Sequence, residues 1–152
     1  MRKIKIFLGG YVNYTNAQNL NCRSIADYLD KNKFKVYSLR LYYGSNEKFN
    51  FKTFLCFKPF RITYHLGFLW GLIMADVLYF PKHLDTPIWI LRLAKILGKP
   101  IFTTIEENVS DLNKINLIDS FGSQHLMKHY FTYFNAVFGI THHIIDNCRS
   151  LI

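Results

Sequence analysis

The chain has 152 residues, 50% of them hydrophobic and 17% aromatic, enough for one packed domain and too few for a second of similar size. Lys and Arg number 19 against 10 Asp and Glu, an excess that points to an anionic partner such as a nucleoside diphosphate, a lipid phosphate, an acidic membrane surface or nucleic acid, or simply to free use of Lys and Asn. The odd, widely separated cysteines Cys22, Cys56 and Cys148 argue against a disulfide frame or zinc site; the apolar run Leu66 to Ala75 is too short for a membrane span, and Ile4 to Leu8 too short for a signal peptide.

Ile4, Ile6 and Leu8 predict a buried parallel strand that ends at a tight turn on Gly9-Gly10. Thr15 and Gln18 have capping-box spacing, and Cys22, Ile25, Ala26 and Leu29 form the apolar face of the helix that follows. Phe34 to Leu41 returns to strand character, which completes a βαβ unit. The middle section is less regular. Within it a helical face through Ile62, Leu66, Leu69 and Ile73 is expected to point at the core. Asp76 to Phe80 reads as a strand, followed by a helix capped by Thr86, begun by Pro87 and stopped at Gly98. Ile101 to Ile105 is the next strand. A helix carrying Leu126, Tyr130, Phe131 and Phe134 leads to a last strand, Ala136 to Ile140, and then to a helix still in progress at Ile152. The expected fold class is α/β: one Rossmann-like domain spanning 1–152, a parallel sheet with helices on both faces.

In such a sheet ligands bind at the carboxyl ends of the strands, so the loops there hold the candidate chemistry. Gly9-Gly10-Tyr11 would let backbone approach a sugar or phosphate, or would simply make a tight turn; it is not a GxGxxG fingerprint. Pro81-Lys82-His83 offers a cation to an anionic ligand or forms a solvated rim. Glu106 and Glu107, directly after an apolar strand, offer a general base because repulsion raises the pKa of one of them; helix capping is the alternative. Thr141-His142-His143 supplies groups for a ligand phosphate or a metal, although adjacent histidines seldom converge on one ion without further ligands, or packs as a polar loop. His125 and His129 have metal-compatible spacing without the glutamate or third ligand of a site, so they read as a surface pair, and no metal site is expected.

Lys48 to Trp70 interleaves cations with aromatics. Lys52, Lys58 and Arg61 would meet the headgroups of an anionic membrane with rings at the acyl boundary, unless the aromatics fill the core. Stacking on single-stranded nucleic acid uses similar residues, but no RNP-like or helix-turn-helix pattern accompanies them, and nucleic acid is not expected as a partner.

The order of these features resembles the N-terminal domain of GT-B glycosyltransferases, especially family 4, which includes capsule, O-antigen and lipopolysaccharide sugar transferases. The resemblance spans nearly the whole chain: Gly9-Gly10 after strand one, Ala75-Asp76-Val77-Leu78-Tyr79, Leu93-Ala94-Lys95-Ile96-Leu97-Gly98-Lys99-Pro100-Ile101, and Phe134-Asn135-Ala136-Val137-Phe138-Gly139-Ile140-Thr141. It implies that the domain is one half of a GT-B architecture that transfers a sugar from a nucleotide-sugar donor to a glycan or lipid-linked acceptor. No covalently bound cofactor is implied. This half would shape the acceptor side, with Gly9, Gly10, Tyr11, Lys82, Thr141 and His142 binding substrate. The family's donor site lies in a second Rossmann domain outside these residues, supplied by a continuation of the chain or a separate donor-binding subunit. Many members place a histidine and an acidic residue where Glu106 and Glu107 stand here. The expected location is cytoplasmic, peripheral on the inner face of the plasma membrane. The competing reading is a noncatalytic Rossmann-like module for a membrane surface or a protein partner. An uninterrupted downstream reading frame for the missing domain separates the two.

Overall fold

The computed structural model describes residues 2–81, 86–105, 117–139, 142, 144 and 146. Its described strands form one six-stranded, all-parallel sheet in the order β3-β2-β1-β4-β5-β6. They are β1 (Ile4–Tyr11), β2 (Phe34–Leu41), β3 (Lys52–Cys56), β4 (Val77–Phe80), β5 (Ile101–Ile105) and β6 (Ala136–Gly139). Helix α1 (Ala17–Tyr28) lies on one face; α2 (Phe60–Met74), α3 (Ile88–Ile96) and α5 (Gln124–Phe131) lie on the other, with the short α4 (Leu117–Phe121) packed on α5. The fold is therefore the Rossmann-like α/β arrangement that the alternating elements predict.

Strand alternation sorts the core into two layers. Phe7, Tyr37, Leu39, Leu78 and Ile101 point to the α2–α3 side, where Phe68, Leu72, Ile90, Leu91 and Ala94 meet them. Leu8, Val12 and Val36 point to the α1 side, against Cys22 and Ala26. Phe49 and Phe51 join this second layer from the β2–β3 connection, where no helix forms among residues 42–51.

Three expectations are corrected. First, Gly9 and Gly10 do not end β1. The strand runs through them to Tyr11 as a bulge, since Leu8 pairs with Ser38 while Tyr11 pairs with the next residue, Leu39. Ser38 Oγ staples the bulge from one side, lying 2.8 Å from the Leu8 carbonyl and 3.0 Å from that of Gly10, and Asn19 Oδ1 accepts from Tyr11 N at 2.8 Å on the other. Second, α1 starts one residue later than the capping-box spacing predicts: Asn16 is the cap, accepting from Asn19 N at 2.8 Å. Thr86 likewise does not cap α3; Pro87 holds the cap position and Thr86 is buried.

The third correction concerns α2, whose seating is the reverse of the expected one. Thr63, Gly67, Phe68, Gly71 and Leu72 are buried, and Ile62, Leu66 and Ile73 are exposed. A Cβ on Gly67 would stand 2.8 Å from Leu39 Cδ2, and one on Gly71 would enter the Phe7 ring. The helix can approach the sheet this closely only through residues without side chains, which leaves its bulkier apolar row outside. Lys99 secures the far end of the helix, its Nζ donating to the Leu72 and Ala75 carbonyls, the latter at 2.6 Å.

Candidate functional site

Because all the strands are parallel, their carboxyl ends share one edge of the sheet. A cleft of about 420 Å³ opens there, between the ends of β1 and β2 and the first turns of α1 and α2. It is lined by Tyr11, Tyr14, Asn16, Asn19, Leu41, Tyr43, Phe60, Arg61 and Tyr64. A larger cleft, about 660 Å³, lies at the amino edge under Lys3, Lys31, Lys35 and Lys52, with Ala26, Leu29, Val36, Phe49 and Phe51 as its floor. Size favours the second, and position favours the first. Position decides, because helix N-termini and strand ends converge only at the carboxyl edge.

The tyrosines form a braced platform. Tyr42 stacks on Phe60 at 5.6 Å between ring centroids, Tyr43 meets Phe60 edge-on at 5.6 Å, and Tyr14 meets Tyr43 edge-on at 6.2 Å. Tyr14, Tyr42 and Tyr43 remain about half exposed, and Tyr14 and Tyr43 line the cleft. The turn that carries Tyr42 and Tyr43 is tied to the end of β1 by Asn13, which donates to the Leu41 carbonyl at 2.7 Å and accepts from Leu41 N at 2.8 Å. Ser45 N donates to the Asn13 carbonyl at 3.0 Å. Gly44 rests directly on the Asn13 amide, where a Cβ would collide with it. Tyr42 N donates to the Cys56 carbonyl at 3.0 Å, joining the turn to β3. Arg61, in the first turn of α2, has no ion-pair partner among the described residues and supplies the cleft with a cation.

Of the residues singled out in the sequence, Tyr11 and Arg61 line this cleft. Gly9 and Gly10 stand behind it, packed where a Cβ would come within 2.5 Å of Phe80 and 2.8 Å of Cys22, so they serve close packing rather than an open loop. Lys58 lies just before α2, whereas Lys52 begins β3 opposite Tyr37 and lines the amino-edge cleft. Lys52 thus belongs to the other edge of the sheet from Arg61. His142 is exposed and does not line either cleft. Lys82, His83, Glu106, Glu107, Thr141 and His143 lie outside the described residues. His129 lies against Tyr133, and no cluster of His, Cys, Asp and Glu fit for a metal occurs among the described residues.

Sequence reading missed Tyr14, Tyr42, Tyr43 and Asn13. The available signal was Tyr42-Tyr43-Gly44 directly after the strand Phe34 to Leu41: two rings followed by a turn residue at the ligand-binding edge. Burial pushes the Cys56 thiol up to about 11, which disfavours its reactive thiolate form.

No family model and no curated protein matches this chain. A solved structure of DNA processing protein A from Helicobacter pylori, described for its single-stranded DNA binding mode, is similar over 98% of this chain and 82% of that one, with 14% sequence identity and a TM-score of 0.49. That degree of likeness transfers no function. It does correct the expectation that excluded nucleic acid: the exclusion rested on missing RNP-like and helix-turn-helix patterns, and this neighbour is described as binding single-stranded DNA. No described helix is long and apolar enough to cross a membrane.

Proposed function

We propose that this domain is the acceptor side of a glycosyltransferase and that the tyrosine-lined cleft holds the acceptor sugar. The observation that carries the reading is the braced platform of exposed rings at the carboxyl edge, with Arg61 beside it. Aromatic faces pack against the apolar face of a sugar ring, tyrosine hydroxyls and asparagine amides bind its hydroxyls, and a guanidinium meets a phosphate on the acceptor. The sequence-level resemblance to GT-B glycosyltransferases supports the same assignment. In the reaction a carboxylate, Glu106 or Glu107, would take the proton of an acceptor hydroxyl as its oxygen attacks the anomeric carbon of the donor. The bond from that carbon to the nucleoside diphosphate breaks, and the diphosphate leaves. A donor-binding domain would complete the site.

Titration of this chain with short oligosaccharides, a soluble sugar-diphosphate-lipid analogue and single-stranded oligonucleotides, followed by NMR, tests the assignment. The sugar ligands are expected to shift the resonances of Tyr14, Tyr43 and Arg61, and Tyr43→Ala to weaken them by about tenfold, the loss of one stacking contact. Shifts from oligonucleotides alone would contradict the reading.

A further inference from the structure

The outer surface of α2 is apolar where the packing gives it no partner. Ile62 is 60% exposed, Leu66 49% and Ile73 67%, and these lie on one side of the helix, with the partly buried Leu69 between them packed against the core. Since its inner face is also apolar, α2 is hydrophobic nearly all round, a pattern a water-exposed helix does not keep. The row continues onto α3 through Trp89, whose indole N–H donates to His65 Nδ1 at 3.3 Å and whose ring lies 5.7 Å from the imidazole.

Charge says what covers it. No Asp or Glu occurs between Lys48 and Ala75 or within α3, while Lys58 and Arg61 flank the row at one end. α3 adds Arg92 and Lys95, whose side chains reach the Tyr133 hydroxyl at 3.1 Å and the Thr132 carbonyl at 2.9 Å. A second copy docked through this face would set cations against cations. An anionic bilayer instead offers acyl chains to the apolar row, an interfacial level to Trp89 and headgroup phosphates to the flanking cations.

We propose that the outer face of α2, extended by Trp89 of α3, docks this domain on an anionic lipid surface. Lys52, at the far end of β3, takes no part. Phe60, Arg61 and Tyr64 of the same helix line the carboxyl-edge cleft, so docking brings the cleft mouth to the headgroups. If the cleft is the acceptor site, as proposed above, its acceptor is lipid-linked.

Co-sedimentation with vesicles of phosphatidylglycerol and phosphatidylcholine, compared with phosphatidylcholine alone, tests the docking. Binding is expected on the anionic vesicles, with Trp89 emission shifting to the blue and Trp89→Phe removing that shift. Ile62→Ser, Leu66→Ser and Ile73→Ser combined should lower partitioning at least tenfold with an unchanged circular-dichroism spectrum, Arg61→Glu should lower it about tenfold, and Lys52→Ala should leave it unchanged. No binding by the natural sequence would overturn the proposal, as would full binding by the triple variant. Self-association that the triple variant abolishes would overturn it too, assigning the face to a protein partner. Sugar binding in the cleft needs none of the three substituted residues, so failure here is distinguishable from failure of the acceptor-site reading.

Discussion

Asp76 ties the start of the chain to β4. Its carboxylate accepts from Lys5 N at 3.0 Å and pairs with Arg2 at 3.3 Å, while its own N–H donates to the Lys5 carbonyl at 2.8 Å. The Lys5 amide, followed by the Arg2, Lys5 and Lys99 charges, holds its pKa below the usual carboxylate value. Burial lowers the pKa of the nearby cation Lys99, whose Nζ is bonded to the Leu72 and Ala75 carbonyls at the end of α2. A depressed carboxylate stabilises the fold fully above its unfolded pKa, about 3.9, and loses that contribution as pH falls through the lower folded value. Asp76→Asn is therefore expected to lower stability by about 0.5–1 kcal/mol at neutral pH, a modest figure because the group is 39% exposed and screened. Urea midpoints measured against pH check this: the gap between the two proteins should close below pH about 4, and a gap that widens there would contradict the assignment.

Among the elements, α2 separates two tendencies that normally agree. Helix propensity favours Ala over Gly by about 1 kcal/mol, so Gly71→Ala would stabilise an isolated helix. Here the new methyl enters the Phe7 ring, and overpacking of about 1–3 kcal/mol should win. A lower urea midpoint for Gly71→Ala is the expected result, and a higher one would mean that α2 is not seated as described. The same helix shows how far the sequence could be read. Phe34–Leu41 and Ile101–Ile105 were legible as strands because both are short segments rich in aromatic, β-branched and other apolar residues, and Gly98 was legible as a helix stop, which it makes with φ +63°. The α2 face was not legible, because bulk marks the core only where there is room for it, and Phe7, Leu39 and Phe54 already fill the space. Strand β3 escaped notice for a related reason: as an edge strand reached without a helix, Lys52–Cys56 shows neither a continuous apolar run nor strict alternation. The platform lay hidden because its rings come from residues 14, 42–43 and 60, which only the parallel pairing of β1, β2 and β3 brings together.

For the molecule as a whole, a parallel sheet collects every strand end on one edge, and the cleft opens there between the first turns of two helices. β5 ends on that same edge at Ile105. The excess of Lys and Arg over Asp and Glu lies between Arg2 and Lys99, on elements that include both the cleft rim and the apolar row of α2. Acceptor recognition and surface docking would thus share one helix. The most direct measurement is sugar transfer from a panel of nucleotide sugars to a lipid-linked acceptor, with this domain and a donor-binding domain both present. Transfer that requires this domain, falls by about 10²–10⁴-fold in Glu106→Gln or Glu107→Gln, and weakens in Tyr43→Ala is the predicted result. Transfer unaffected by omitting this domain, or by all three substitutions, would contradict the assignment of its cleft as the acceptor site.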